Sequence, residues 1–472
     1  MRHYGQFYID GEWVNPIESR PFELRNPTTE EVFATVALGC PADVDRAVTA
    51  ARRAYKTFSL TTPAERIALL ERIAEVFSAR RDEVHAALTE EMGAPVSLKA
   101  QIDSSVNAIR QAIKTLGDYQ FESREGRFII RHEAIGVAGL ITPWNWPIQL
   151  LCNKLSSSLA AGCTSVVKPS EFTPVSALVF ADILHEAGVP AGVFNLVNGD
   201  GPGVGEAISG HDDIDVVSFT GSTRAGTLVA AAAAPSVKRV AQELGGKSAN
   251  IVMPGADVVA AAEFNVTRGF SNSGQSCHSP TRLLVHKSQL AEAEQALKDA
   301  VAKHVRVGDP TLPETTHGPV VNAAQYERIQ AYIQSAIDEG ATLLTGGPGR
   351  PAGIERGYFV QPTIFSNVTP DMTIAREEIF GMVTAVLTYE TVDEAIELAN
   401  DTPYGLAAYV FGDDDEILDV ARVMRAGRVF LNGAPPSTEV PMGGYKKSGN
   451  GREMGVAGME EYLEVKAILT KG

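Results

Sequence analysis

At 472 residues the chain is too long for one ordinary core, so two or three domains are expected. Its 41 basic and 58 acidic side chains leave a net charge of −17, which would repel a phosphate backbone and argues against general nucleic-acid binding, though not against an anionic small ligand in a local pocket. No apolar run approaches the ~18 residues of a membrane helix, the start Met1-Arg2-His3-Tyr4-Gly5-Gln6 lacks the core of a signal peptide, and Cys40, Cys152, Cys163 and Cys277 form neither a CxxC pair nor a cluster with histidines, so a reducing cytoplasm, free thiols and no metal are expected.

Two helices come first. Pro41 suits a first-turn position ahead of Val44, Ala47, Val48 and Ala51, and Thr62-Pro63-Ala64-Glu65 has the form of a capping box before Ile67, Leu70, Ile73 and Phe77. From about Ala134 the pattern changes to short β-branched runs alternating with helical stretches. The runs are Ile135–Ile141, Thr164–Val167, Val193–Val197 and Asp215–Phe219, with a helix opened by Thr173-Pro174 and closed by Gly188-Val189-Pro190. A second series runs from Ala249–Val252 through Arg282–Val285, Val383–Tyr389 and Ala407–Phe411 to Arg428–Leu431. Such alternation predicts parallel sheets covered on both faces. The expected fold is therefore α/β, with two tandem domains meeting near Gly245-Gly246 and a site in the cleft between them.

Several residues could carry chemistry. Thr220-Gly221-Ser222-Thr223 follows a strand and could present helix N–H groups to a phosphate, but neither a Walker loop nor a complete G-x-G-x-x-G is formed, and an ordinary βα turn explains it equally well. Cys277 lies in Asn272-Ser273-Gly274-Gln275-Ser276-Cys277-His278, where small neighbours would admit a substrate and leave N–H groups for an oxyanion; a lone cysteine is more commonly inert packing, as Cys152 and Cys163 are read here. Glu243, before Leu244-Gly245-Gly246-Lys247, could point into a cleft as a base or be a solvated turn residue. Asn145 in Pro143-Trp144-Asn145-Trp146-Pro147 could donate to an oxyanion or simply form the turn.

Taken together these segments carry more than any one of them. Thr142-Pro143-Trp144-Asn145, Lys168-Pro169-Ser170-Glu171, Phe219-Thr220-Gly221-Ser222-Thr223, Glu243-Leu244-Gly245-Gly246-Lys247, Gly274-Gln275-Ser276-Cys277, Glu377-Glu378-Ile379-Phe380-Gly381 and Gly443-Gly444-Tyr445-Lys446 follow one another in the order of the aldehyde dehydrogenase superfamily, which the chain resembles over essentially its whole length. The resemblance implies NAD(P)-dependent oxidation of an aldehyde to a carboxylic acid, through a thiohemiacetal and thioester on Cys277 and then hydrolysis. By the same resemblance Asn145 and the Cys277 N–H hold the oxyanion, and Glu243 is the general base. Cofactor positions carried over are Thr142, Trp144, Lys168, Glu171, Gly201, Gly221, Ser222, Leu244, Glu378 and Phe380. Glu171 beside the ribose hydroxyls would favour NAD, with NADP possible because Lys168 is near. Trp146, Asn153, Ser276, His278 and Met442 would line the substrate pocket.

Two departures from the family pattern are visible: Met382 follows Gly381 where proline is common, and His278 with Pro280 follows the nucleophile where small residues are common. The resemblance further implies a Rossmann-like NAD-binding domain from 1–116 and 134–244, a catalytic domain over 245–445, and an oligomerisation flap and tail from 117–133 and 446–472, building a homodimer or homotetramer. From the residues alone, Phe128-Ile129-Ile130-Arg131 reads as a stray strand. Two other chemistries use the same groups: a coenzyme A-acylating aldehyde dehydrogenase, and a thiol hydrolase that needs no nucleotide.

Overall fold

The capping box predicted ahead of the second helix forms. In the computed structural model, which describes residues 1–471, the Thr62 N–H donates to Glu65 Oε2 at 2.7 Å and the Glu65 N–H donates to Thr62 Oγ1 at 3.2 Å. The helix it opens, Pro63–Ala79, buries Leu70, Ile73 and Phe77 on one face. The preceding helix, Pro41–Phe58, begins at Cys40, whose N–H donates to Asp43 Oδ2 at 3.0 Å. The last residue of the expected tail, Gly472, lies outside the described residues.

Both predicted series of strands form sheets. In the first, Arg239–Glu243, Val216–Thr220, Val137–Ile141, Thr164–Lys168 and Phe194–Leu196 lie side by side and parallel. Antiparallel strands Phe7–Ile9 and Glu12–Val14 extend one edge, and the two-residue strand Gly449–Asn450 closes the other against Arg239–Glu243. The chain winds outward from Val137–Ile141 in one direction, then returns to Val216–Thr220 on the other side. The order therefore reverses between those two strands, and the crevice beyond their carboxyl ends is where doubly wound sheets bind ligands.

The second sheet places Thr363–Ser366, Val383–Tyr389, Pro280–His286, Ser248–Val252, Ala407–Phe411 and Arg428–Leu431 in parallel order, with Thr342–Thr345 antiparallel at one edge. Most of its interior strands are buried at every residue, as β-branched runs covered on both faces should be. The run Phe128–Arg131 is no stray strand. It belongs to Phe128–Ala134, which pairs antiparallel with Glu122–Glu125 and with Leu463–Leu469 more than 300 residues away, a partner that local pattern cannot reveal.

One helix ties this frame to the site. Pro147–Ala161 is buried nearly all round, packed between the first sheet and the helix Ala100–Asp118. Whatever precedes Pro147 is thereby held in a fixed place. No described helix is long and apolar enough to cross a membrane.

Candidate active site

Strain and close packing set the cysteine loop. After the helix Val258–Gly269 the backbone takes left-handed conformations at Asn272 (φ 54°), Ser273 (φ 58°) and Gly274 (φ 76°). Outside glycine each such residue costs on the order of 1–2 kcal/mol, and the surroundings hold them. Ser273 Oγ donates to the Gly318 carbonyl at 2.8 Å, and Gln275 Oε1 accepts from the Val321 N–H at 2.9 Å. Only glycine fits at 274, because a Cβ there would stand 2.1 Å from the Gly381 carbonyl carbon.

The link before Pro147 is stitched to that loop. Asn145 Nδ2 donates to the Gln275 carbonyl at 3.0 Å, while the Asn145 carbonyl accepts from Gln101 Nε2 at 3.0 Å and Asn272 Nδ2 at 2.8 Å. Trp146 Nε1 donates to Ser276 Oγ at 2.8 Å. An amide nitrogen carries two hydrogens, so the Asn145 side chain keeps one free where it lines the cavity in front of Cys277.

That cavity has a volume of about 540 Å³ and opens between the two sheets, within the usual range for a small-molecule site. Cys277 is half-buried on its wall, with Sγ 3.8 Å from His278 Nδ1. Burial pushes the thiol pKa up, and the nearby carboxylates of Glu378, Glu243 and Glu453 push it further. His278 is held well below its usual pKa by burial, then by Arg268 and Arg428, so its ring is neutral at pH 7.

Glu243 ends the strand Arg239–Glu243 and is 6% exposed, with neither carboxyl oxygen hydrogen-bonded among the described residues. Burial raises its pKa well above 4.5, and Glu453 adds to the rise. Lys154 and Glu453 form a buried ion pair close by, with Lys154 Nζ also donating to Ser218 Oγ at 3.0 Å. A buried, unpartnered carboxyl near a cysteine has the environment that acid–base chemistry requires.

The expected cofactor residues gather on the other side of the cleft. Thr142 and Thr220 stand at the strand ends where the sheet order reverses, and their buried hydroxyls have no partner among the described residues. Gly221 leads into Ser222, which caps the helix Thr223–Ala233 by accepting from the Ala225 N–H at 3.2 Å. Lys168 Nζ donates to the carbonyls of Pro169 and Gly199, at 2.9 and 2.7 Å, and lies 3.5 Å from Glu171 Oε2. Gly201 sits on the neighbouring turn, where a Cβ would meet open space. Glu378 Oε1 accepts from the Gly246 N–H at 2.9 Å, and burial raises its pKa to about 7. Phe380 takes φ 64° and meets Trp144 edge-on at 5.4 Å. Leu244 differs in kind: its side chain packs under Gly226, so it supports this rim from within the core.

The substrate-side expectations divide. Trp146, His278 and Met442 line the cavity. Ser276 stands behind the wall, its hydroxyl engaged by Trp146, and Asn153 lies in a small adjoining pocket beside Thr438 and Met454. A helix turns 100° per residue, so a position six residues beyond Pro147 need not share the face of Trp146. Sequence reading missed Gln149, Arg268, Arg428 and Phe430 on the same cavity wall. Arg268, nine residues before Cys277, was the one that proximity in the chain could have flagged.

A cavity between two parallel sheets, with a cysteine on a strained loop, a facing side-chain amide and an unpartnered buried glutamate, defines a class of thiol-dependent enzyme that works beside a nucleotide crevice. The sequence profile of the aldehyde dehydrogenase family matches residues 13–468, and the chain belongs to that family. It is 50% identical to a 3-succinoylsemialdehyde-pyridine dehydrogenase of a Pseudomonas species, over 99% of each chain. The fold superimposes with a TM-score of 0.97 on aldehyde dehydrogenase C of Pseudomonas syringae, a cysteine-to-alanine mutant complexed with NAD+ and octanal; identity is 51%, covering 98% of this chain and 96% of that one. A Bartonella henselae aldehyde dehydrogenase superimposes equally well, at 44% identity over 99% of this chain and all of that one.

Proposed function

We propose that the protein oxidises an aldehyde to a carboxylic acid with NAD as hydride acceptor, through a thioester on Cys277 that water then hydrolyses. One observation carries this reading: Cys277 and the Asn145 amide share one cavity wall, and Glu243 lies close enough to raise the thiol pKa.

The chain's own groups supply the steps. Burial raises the pKa of both the thiol and the carboxyl, and Glu243 in its ionised form is the base that takes the thiol proton. The thiolate attacks the aldehyde carbon, and the resulting oxyanion is held by the free Asn145 N–H and the Cys277 backbone N–H. NAD, when bound, accepts the hydride as that oxyanion collapses to the thioester. Glu243 passes that first proton to solvent and then draws a second from water as the water oxygen attacks the thioester; the thiolate leaves, the acid departs, and the proton held on Glu243 returns to Cys277.

The residues suit NAD. The orphaned Thr142 and Thr220 hydroxyls, the Ser222 helix terminus and the Lys168–Glu171 pair lie at or just after the carboxyl ends of neighbouring parallel strands, which supports a dinucleotide site near the reversal of strand order. Glu171 would accept ribose hydroxyl hydrogen bonds and repel a 2′-phosphate, while Glu378 and Phe380 would flank the nicotinamide end. We assign NAD binding to 1–116 and 134–244 and catalysis to 245–445, with 117–133 and 446–472 as flap and tail. Gly449–Asn450 nonetheless joins the first sheet. The strand Leu463–Leu469 leaves Val465 (64% exposed) and Leu469 (71%) uncovered, which supports a homodimer or homotetramer built through the flap; light scattering of the purified protein tests it. Four free thiols fit a cytoplasmic location.

Absorbance at 340 nm with NAD and a panel of aldehydes tests the central reading. NADH formation, without added coenzyme A and with free acid as product, is expected. Ester hydrolysis with no NADH from any aldehyde would overturn it.

A further inference from the structure

The walls of the Cys277 cavity are charged in a way the reaction itself does not require. Among the described residues their only carboxylate is Glu439, and it is ion-paired to Lys114 at 2.8 Å at the exposed mouth. Arg110, Arg268 and Arg428 also line the cavity, and none has a carboxylate within ion-pairing distance among the described residues. In a chain of net charge −17, this pocket opposes the global sign.

The three arginines are not equivalent. Arg110 is exposed at the mouth. Arg428 is half-buried, but its Nε donates to the Pro441 carbonyl at 2.8 Å and its Nη2 to the Ser437 carbonyl at 3.0 Å, so it fastens the segment that roofs the cavity. Arg268 is half-buried in the last turn of Val258–Gly269, the helix that delivers the cysteine loop. The Tyr409 hydroxyl donates to the His278 carbonyl at 2.6 Å, close to the Arg268 guanidinium. Among the described residues no carboxylate pairs with this guanidinium, which lines the cavity. A half-buried guanidinium lacking its anion is costly, and its planar fork matches a carboxylate.

We propose that the substrate is an aldehyde bearing a carboxylate at its other end, which Arg268 grips while the aldehyde carbon meets Cys277. Resting on the dehydrogenase reading above, this names the class of substrate that the site selects. Arg110 and Lys114 at the mouth add a favourable field for an entering anion, one that salt weakens.

The test pairs aldehydes of similar shape: succinic semialdehyde against butanal, and 4-carboxybenzaldehyde against 4-methylbenzaldehyde, each with NAD. The carboxylated member is expected to have a kcat/KM at least ~10-fold higher, chiefly through a lower KM, with the advantage shrinking as salt rises. In R268Q the ratio should fall by ~10-fold or more, and R268K should restore part of it. A readout free of turnover accompanies this: glutarate, but not pentanol, should slow alkylation of Cys277 by iodoacetamide in the parent protein and not in R268Q, as read by peptide mass. Equal or better use of the neutral aldehydes by the parent protein, or a preference that survives in folded R268Q, would overturn the proposal. No NADH from either member of a pair, alongside glutarate protection that depends on Arg268, would sink the dehydrogenase reading and leave the anion site standing.

Discussion

The two sides of the cleft differ in how their principal charged groups are held. On the side assigned to the dinucleotide, the charged groups already have protein partners: Lys168 donates to two carbonyls and Glu378 accepts from the Gly246 N–H. On the aldehyde side, among the described residues, Glu243 has no hydrogen-bond partner and Arg268 no paired carboxylate. Groups with partners are fixed before a ligand arrives, so they contribute geometry at little ordering cost. Groups without partners are poised to respond to what enters, so they carry proton transfer and selectivity. The Asn145–Gln275 hydrogen bond lies at the boundary, where one side's rigidity orients the other side's chemistry.

The sharpest way to break this comparison is Cys277→Ala. Turnover should fall by at least ~10⁴-fold while NAD binding, followed by fluorescence titration, is retained. Equal loss of both would mean that the two sides are not separable. Glu243→Gln comes next: a burst of NADH, then a steady rate lower by ~10²–10⁴-fold as acyl-enzyme accumulates, seen as added mass on the Cys277 peptide. Steady turnover at the parent rate would remove Glu243 from the mechanism.

The pH profile sharpens the same point. Only the ionised carboxyl can accept a proton, and burial raises the Glu243 pKa well above 4.5, so its active fraction grows as pH rises. Deacylation-limited kcat should therefore rise with pH above the ordinary carboxylate range in the parent enzyme, and this limb should vanish in Glu243→Gln. Asn145→Ala removes an oxyanion donor and should cost ~2.7–4 kcal/mol of barrier, read in kcat. Since Asn145 also bonds Gln275, a thermal melt of the variant separates this loss from loosening of the cysteine loop. The smallest effect belongs to the partnered side. Glu171→Gln should narrow the preference for NAD over NADP by about tenfold, or ~1.4 kcal/mol, in kcat/KM measured with each cofactor.

Much of this was legible beforehand. The strand runs from Ile135 to Phe219 and from Ala249 to Leu431 became two mainly parallel sheets, because buried parallel strands write themselves as continuous apolar stretches. Asn145, Glu243 and Cys277 were marked by their motifs, although each alone had an ordinary explanation. The substrate side was harder to read. Asn153 and Ser276 look well placed in the chain, yet one lies in an adjoining pocket and the other holds Trp146 from behind.

Local pattern determined the elements, their caps and the nucleophile's setting, since backbone propensity and burial periodicity act over a few residues. What only the tertiary structure decided was which distant side chains meet: the strand Leu463–Leu469 on Phe128–Ala134, Glu453 against Lys154, and Arg268 over the cavity beside Tyr409. Electrostatics and cavity shape depend on distances across the packed core, and no stretch of sequence encodes those until the sheets and helices have closed on one another.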